Sequence, residues 1–132
     1  MGNVKTTYLT FNTSKGTAAV TSDELAAILD QPPLGPIPVP FGPARELVAH
    51  DGELYPVIAL PPRDDDKAQP PVVLVLRTGA GNLGLKVRSD LRLATGQRHG
   101  TQVNLKEIGQ ARLLTCATLL TELERKREWP AS

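Results

Sequence analysis

Between Pro32 and Pro43 the chain reads "PPLGPIPVPFGP", six prolines and two glycines in twelve residues. Every proline fixes φ and removes a backbone donor, so this stretch is excluded from helix and from the middle of a sheet. It reads as an extended connector, with Leu34, Ile37, Val39 and Phe41 spaced to dock it back onto a core. A polyproline ligand for an aromatic-lined groove is the competing use of such a segment. Turn-forming residues cut the rest of the chain in the same way, at Ser14-Lys15-Gly16, Asp51-Gly52, Pro61 to Pro71, Gly79 to Gly81 and Gly96 to Gly100. Short strands about eight to twelve residues apart, with turn signals between them, point to small barrels or a sandwich.

The elements follow from periodicity. Tyr8–Phe11 and Thr17–Val20 read as a first hairpin. Thr21 and Glu24 have the spacing of a capping box, which predicts a short helix carrying Leu25, Ile28 and Leu29 on one face. Arg45–Ala49 and Leu54–Leu60 form a second hairpin turning at Asp51-Gly52, where Pro56 marks an edge or a bulge. "PPRDDDKAQPP" is a charged loop. With 132 residues the chain is expected to be one domain, 1–132, whose approximate halves 1–62 and 70–127 are joined by the 63–69 loop. Val72–Leu76 and Leu83–Val87 make a third hairpin, and Asp90–Thr95, Thr101–Leu105 and Arg112–Cys116 read as further strands. Thr118 to Arg127 reads as an amphipathic terminal helix, with one continuous helix from Leu105 as the alternative.

The chemistry-bearing motifs dissolve on inspection. Gly79, Gly81 and Gly84 spell G-x-G-x-x-G after an apolar run. A dinucleotide site needs a helix next, because the pyrophosphate sits on free N–H groups at its N-terminus. The alternating Leu85-Lys86-Val87-Arg88 that follows is strand-like, so the glycines are read as a hairpin turn. Fifteen basic residues against fourteen acidic ones leave no excess charge for nucleic acid. No apolar run is long enough to insert into a membrane, and the opening residues lack a signal core, which implies a cytoplasmic protein. The single cysteine, Cys116, lies among apolar residues where a thiol is inert. His50 and His99 have no partner at metal-ligand spacing, and Asp64 to Asp66 lack the central glycine and distal glutamate of a calcium loop. No catalytic residue, metal or cofactor is expected.

In this order, "YLTF", "ELAAIL", "PLGPIPVP", "GELYPVIAL" and "VVLVLRTGAGNLGLKV" resemble CheW-like domains, the coupling proteins of bacterial chemotaxis. The resemblance runs from about Tyr8 to Leu93, and its most specific part is Gly52 to Leu60. It implies a mainly β fold of two intertwined SH3-like five-stranded barrels, which together with the residue reading carries a short helix after strand 2 and a C-terminal helix. It also implies a non-enzymatic adaptor that binds the cytoplasmic tip of a chemoreceptor and the regulatory domain of the histidine kinase CheA. The expected partner-binding residues are Leu25, Ile28, Leu47, Val48, Val57 and Val87, lining a groove that takes an apolar helical face, with Asp51 and Arg88 as polar contacts.

The chain departs from the family at polar positions. Ala49-His50-Asp51-Gly52 stands where an Asn-Leu-Arg-Gly turn is usual, so an arginine that commonly serves receptor coupling becomes an acid. Ala27 replaces a glutamate, Arg88 replaces an aspartate, and Glu46 falls where a glycine is usual. A charge changed at an interface changes which partner is tolerated. The expectation is an adaptor with reduced coupling ability; a CheW-fold module for another cytoplasmic motility or signalling protein is the alternative.

Overall fold

The computed structural model describes residues 6–41, 44–78, 81–115 and 118–119, and their regular structure is almost wholly β-strand. The strands are β1 Thr6–Thr13, β2 Gly16–Thr21, β3 Leu25–Asp30, β4 Leu34–Phe41, β5 Ala44–His50, β6 Glu53–Ala59, β7 Val72–Thr78, β8 Gly81–Val87, β9 Arg92–His99, β10 Gln102–Leu105 and β11 Gly109–Leu113. β1, β2, β11, β10 and β9 close into a five-stranded barrel. The remaining strands form a six-stranded sheet in the order β3, β7, β8, β6, β5, β4. The barrel is therefore made from both ends of the described chain and the sheet from its middle. The Pro61 to Pro71 loop joins two strands of the same sheet, β6 and β7.

Three expectations are corrected. The second unit is not a closed five-stranded barrel: it has six strands and keeps two edges, β3 and β4. The helix predicted after β2 is absent, because Thr21 to Leu25 make a single turn, with Glu24 N–H donating to Thr21 O at 3.2 Å and Leu25 N–H to Ser22 O at 3.3 Å. Leu25–Asp30 then pairs antiparallel with Leu76–Val72 as β3. The vacant place beside β7 supplies ladder bonds and packing for Ala27 and Leu29, and this tertiary gain overrides the helical propensity of "ELAAIL". Lastly, a continuous helix from Leu105 is ruled out by the β10–β11 hairpin, which turns through Glu107 at φ 71°. The predicted terminal helix 118–127 lies outside the described residues except for Thr118 and Leu119, which are helical.

The proline-rich segment is extended, as expected, but it also belongs to the sheet. As β4 it takes an edge position, pairing with β5 at Leu34↔Val48, Gly35↔Leu47 and Pro36↔Glu46 before the ladder slips and resumes at Phe41↔Ala44. The other hairpins fall where the turn residues place them. β5 and β6 are joined by Asp51 (φ 51°) and Gly52 (φ 77°), the two positive values that a type I′ turn requires.

Side-chain alternation sorts the core into three clusters. Tyr8, Ala19, Val103, Leu105, Ala111 and Leu113 fill the barrel. Val48, Tyr55, Val57, Val73 and Val75 form a cluster drawn from the sheet alone. The opposite face of that sheet, with Leu74, Leu76, Leu83 and Leu85, meets Leu9, Phe11, Ala18 and Val20 of the β1–β2 hairpin. A Cβ added at Gly84 on β8 would lie 2.9 Å from Val73 Cγ1, 3.2 Å from Val57 Cγ2 and 3.6 Å from Val48 Cγ1. Val48 sits two strands away from Gly84, so this closeness requires the sheet to coil tightly around its valines. Gly96 marks a tighter crossing still, for a Cβ there would meet the backbone oxygen of Asn104 at 2.2 Å.

The two glycines should differ in tolerance. At Gly84 the obstacle is the tip of a valine, and Gly84→Ala is expected to cost about 1–3 kcal/mol in urea unfolding. At Gly96 the obstacle is backbone, so Gly96→Ala should cost more; equal or reversed losses would contradict the crossing geometry.

Candidate interaction surface

The eight residues expected to meet partners separate into core and surface. Val48, Val57 and Val87 are each 1% exposed, which corrects the expectation that they line a groove. Val48 and Val57 belong to the valine cluster inside the sheet, and Val87 to the seam between sheet and barrel. Leu25 is half-buried at the rim of that seam, and Ile28 on the same strand is 46% exposed. Leu47 on β5 is half-buried and paired with Pro56 of β6. Next to them Leu54 is 66% exposed and shares their face by alternation.

The structure does not bring Leu25 and Leu47 together. Across the sheet the ladder registers run Leu25, Leu76, Leu83 from one edge and Leu47, Pro56 from the other, and the two meet one residue further along at Gly84↔Val57. Leu76 and Leu83 are fully buried beneath the seam, so the row is covered in its middle and open at both ends. Two apolar patches result, one around Ile28 and one around Leu47 and Leu54. A third exposed apolar side chain, Leu93 on β9, lies on the barrel beside a cleft of about 450 Å³ that Arg92, Lys106 and Ile108 also line.

The polar residues have more definite partners than sequence alone conveys. Asp51 is exposed on its turn, with His50 Nε2 3.5 Å from its Oδ2. Behind it the hydroxyl of Tyr55, a residue only 3% exposed, donates to Glu53 Oε2 at 2.9 Å and accepts from Arg77 Nη2 at 3.4 Å. The bond to Tyr55 and the charges of Glu53 and Asp51 raise the Arg77 pKa above its already high value, so this cation persists at every working pH. On the same face of the sheet Lys86 Nζ meets Glu46 Oε1, which gives the unusual Glu46 a partner. Arg88 donates from Nη1 to the carbonyl of Gln69 at 2.7 Å, and this ties the loop before β7 to the end of β8.

That loop is not simply solvated. Asp66 is 5% exposed, accepting from Arg63 Nε at 3.1 Å and from Gln69 Nε2 at 2.9 Å. Among the described residues no three His, Cys, Asp or Glu side chains converge as metal ligands, and no helix is long and apolar enough to cross a membrane. Of the G-x-G-x-x-G glycines, Gly81 and Gly84 lie on β8 and Gly79 lies outside the described residues, with strand where a phosphate-binding turn needs a helix. Sequence reading missed the Tyr55, Glu53 and Arg77 group. A strict period-two count along "ELYPVIA" separates Tyr55 and Val57 from Leu54 and Pro56 and would have flagged it.

In comparison with known proteins, no family model matches the chain, and no curated protein matches it. Among solved structures it is similar to the scaffolding protein TtCheW from Thermoanaerobacter tengcongensis, with a TM-score of 0.65 and 11% identity over 87% of each chain. The fold is thus CheW-like.

Burial gives a direct test of the division between core and surface. Val57→Asp should prevent folding, whereas Ile28→Asp should leave the circular dichroism unchanged and shift stability by under about 1 kcal/mol. Tyr55→Phe deletes both hydroxyl bonds and should cost about 1 kcal/mol in urea unfolding.

Proposed function

We propose that the chain is a non-enzymatic, CheW-like adaptor of a bacterial chemosensory system, acting in the cytoplasm by binding alone. The observation that carries this reading is the shared architecture, a closed barrel interleaved with a second sheet, which covers most of both this chain and a scaffolding protein. The proposed partners are a chemoreceptor's cytoplasmic tip and the regulatory domain of a CheA-type kinase. Leu25 and Ile28 offer one apolar patch to a helical face, Leu47 with Leu54 a second, and Val48, Val57 and Val87 hold these strands from beneath.

Two patches on opposite sides of the seam fit a bivalent adaptor, whose bridging ends when either grip fails. Asp51 reverses the charge at the turn where the family commonly carries arginine. A desolvated charge facing a like charge costs a few kcal/mol, on the order of a hundredfold in affinity. Arg88 is already engaged with the Gln69 carbonyl, so its departure from the family pattern serves the fold. The reading is therefore an adaptor that holds the receptor and couples the kinase poorly.

Reconstitution of receptor, kinase and this protein, with no other coupling protein, tests it. The protein should co-sediment with receptor fragments without activating the kinase, and Ile28→Asp should abolish that co-sedimentation. Kinase activation equal to that of an ordinary coupling protein would overturn the reduced-coupling reading. Absence of binding to both partners would leave the fold serving another client.

A further inference from the structure

The two edges of the six-stranded sheet are protected very differently. On β4, Pro36, Pro38 and Pro40 remove the N–H donor from every second residue, a recognised way of preventing an edge from recruiting another strand. β3 contains no proline and no cation.

The ladder shows which backbone groups of β3 are already bonded. Arg77 N–H donates to Glu24 O at 2.8 Å, so the odd-numbered residues of β7 direct their backbone groups toward β3. Ala27 pairs with Val75 and Leu29 with Val73, which makes Ala27 and Leu29 the bonded residues of the strand. Beyond the bulge between Leu25 and Ala27, Ile28 and Asp30 therefore point their N–H and C=O groups to the side where the described residues supply no further strand. Both are exposed. Exposed carboxylates stand at both ends of this edge, Asp23 before it and Asp30 at its close, with the exposed Ile28 side chain between them.

We infer that the outer edge of β3 is a docking site for an extended segment of another protein, added as a seventh strand and carrying Lys or Arg at its ends with β-branched residues between. Main-chain bonds to Ile28 and Asp30 supply the attachment, and the flanking charges supply the selectivity. A second copy of β3 fits less well, because this strand and the turn before it carry the carboxylates Asp23 and Asp30 and no cation, so a copy brings no positive charge to meet them. The site uses backbone groups, so it is independent of the adaptor reading.

A capped heptapeptide Lys-Thr-Val-Thr-Val-Thr-Lys is the probe, and amide hydrogen exchange the measurement. At saturating peptide the amides of Ile28 and Asp30 should exchange at least tenfold more slowly, while a Glu-ended peptide of the same core should leave them unchanged. Ile28→Pro deletes an outward donor without touching a ladder bond, and should lose the peptide while keeping the fold. If that variant fails to fold, the pair Asp23→Lys and Asp30→Lys should reverse the preference toward the Glu-ended peptide. No slowing with the Lys-ended peptide, or equal slowing with both, would overturn the site. Slowing that grows with protein concentration alone would assign the edge to a second copy and overturn the choice of partner.

Discussion

The molecule depends on one apolar seam. The β1–β2 hairpin is buried on both faces, with Tyr8 and Ala19 turned into the barrel and Leu9, Phe11, Ala18 and Val20 turned onto the sheet. Opposite them lie Leu74, Leu76, Leu83 and Leu85, each at 0% exposure. Burying a leucine contributes about 1.5–3 kcal/mol, so these four side chains alone are comparable with the whole net stability of an ordinary domain. Because the barrel is built from the chain's two ends and the sheet from its middle, the seam also decides how the two units are placed. Asn12 N–H donating to Ser89 Oγ at 2.8 Å and Ser14 N–H to Pro61 O at 2.8 Å lock the same boundary at its end.

Hairpins were the legible part of the sequence. Turn chemistry at Ser14 to Gly16, at Asp51-Gly52 and around Gly81 sets strand pairs that are local, and local pairs leave a local trace. What joins one hairpin to another left none. β2 meets β11 in parallel, and so do β6 and β8, across wide separations in the chain, and neither pairing has a turn to announce it. For that reason the charged loop at Pro61 to Pro71 looks like a boundary between halves although it connects two strands of one sheet. "ELAAIL" failed differently: its composition and capping spacing favour helix, and only the empty place beside β7 makes it a strand.

The candidate surface was half legible for a related reason. Apolar type says that a residue is at a protein interface or in a core, and it does not say which. Leu47 and Val48 are adjacent in sequence, yet alternation sends Val48 into the valine cluster and leaves Leu47 outside. The same rule separates Ile28 from Leu29. Glu46 and Arg88, which look like altered contact residues, turn out to be engaged within the fold through Lys86 and the Gln69 carbonyl. A charge that departs from a family pattern is evidence about partners only after its neighbours in space are known.

Similarity of fold at 11% identity follows from what the seam and the coil of the sheet require. They require alternating apolar residues of about the right volume, close crossings at Gly84 and Gly96, and hairpins that turn where they should; many sequences meet those conditions. None of them constrains the exposed ends of the strands. Asp51, Glu53 and Arg77 gather at one such end around the buried Tyr55, with the Arg77 cation held among acids rather than displayed alone. The core and its packing do not depend on that cluster, so the charge displayed at this end of the sheet can differ between proteins that share the fold.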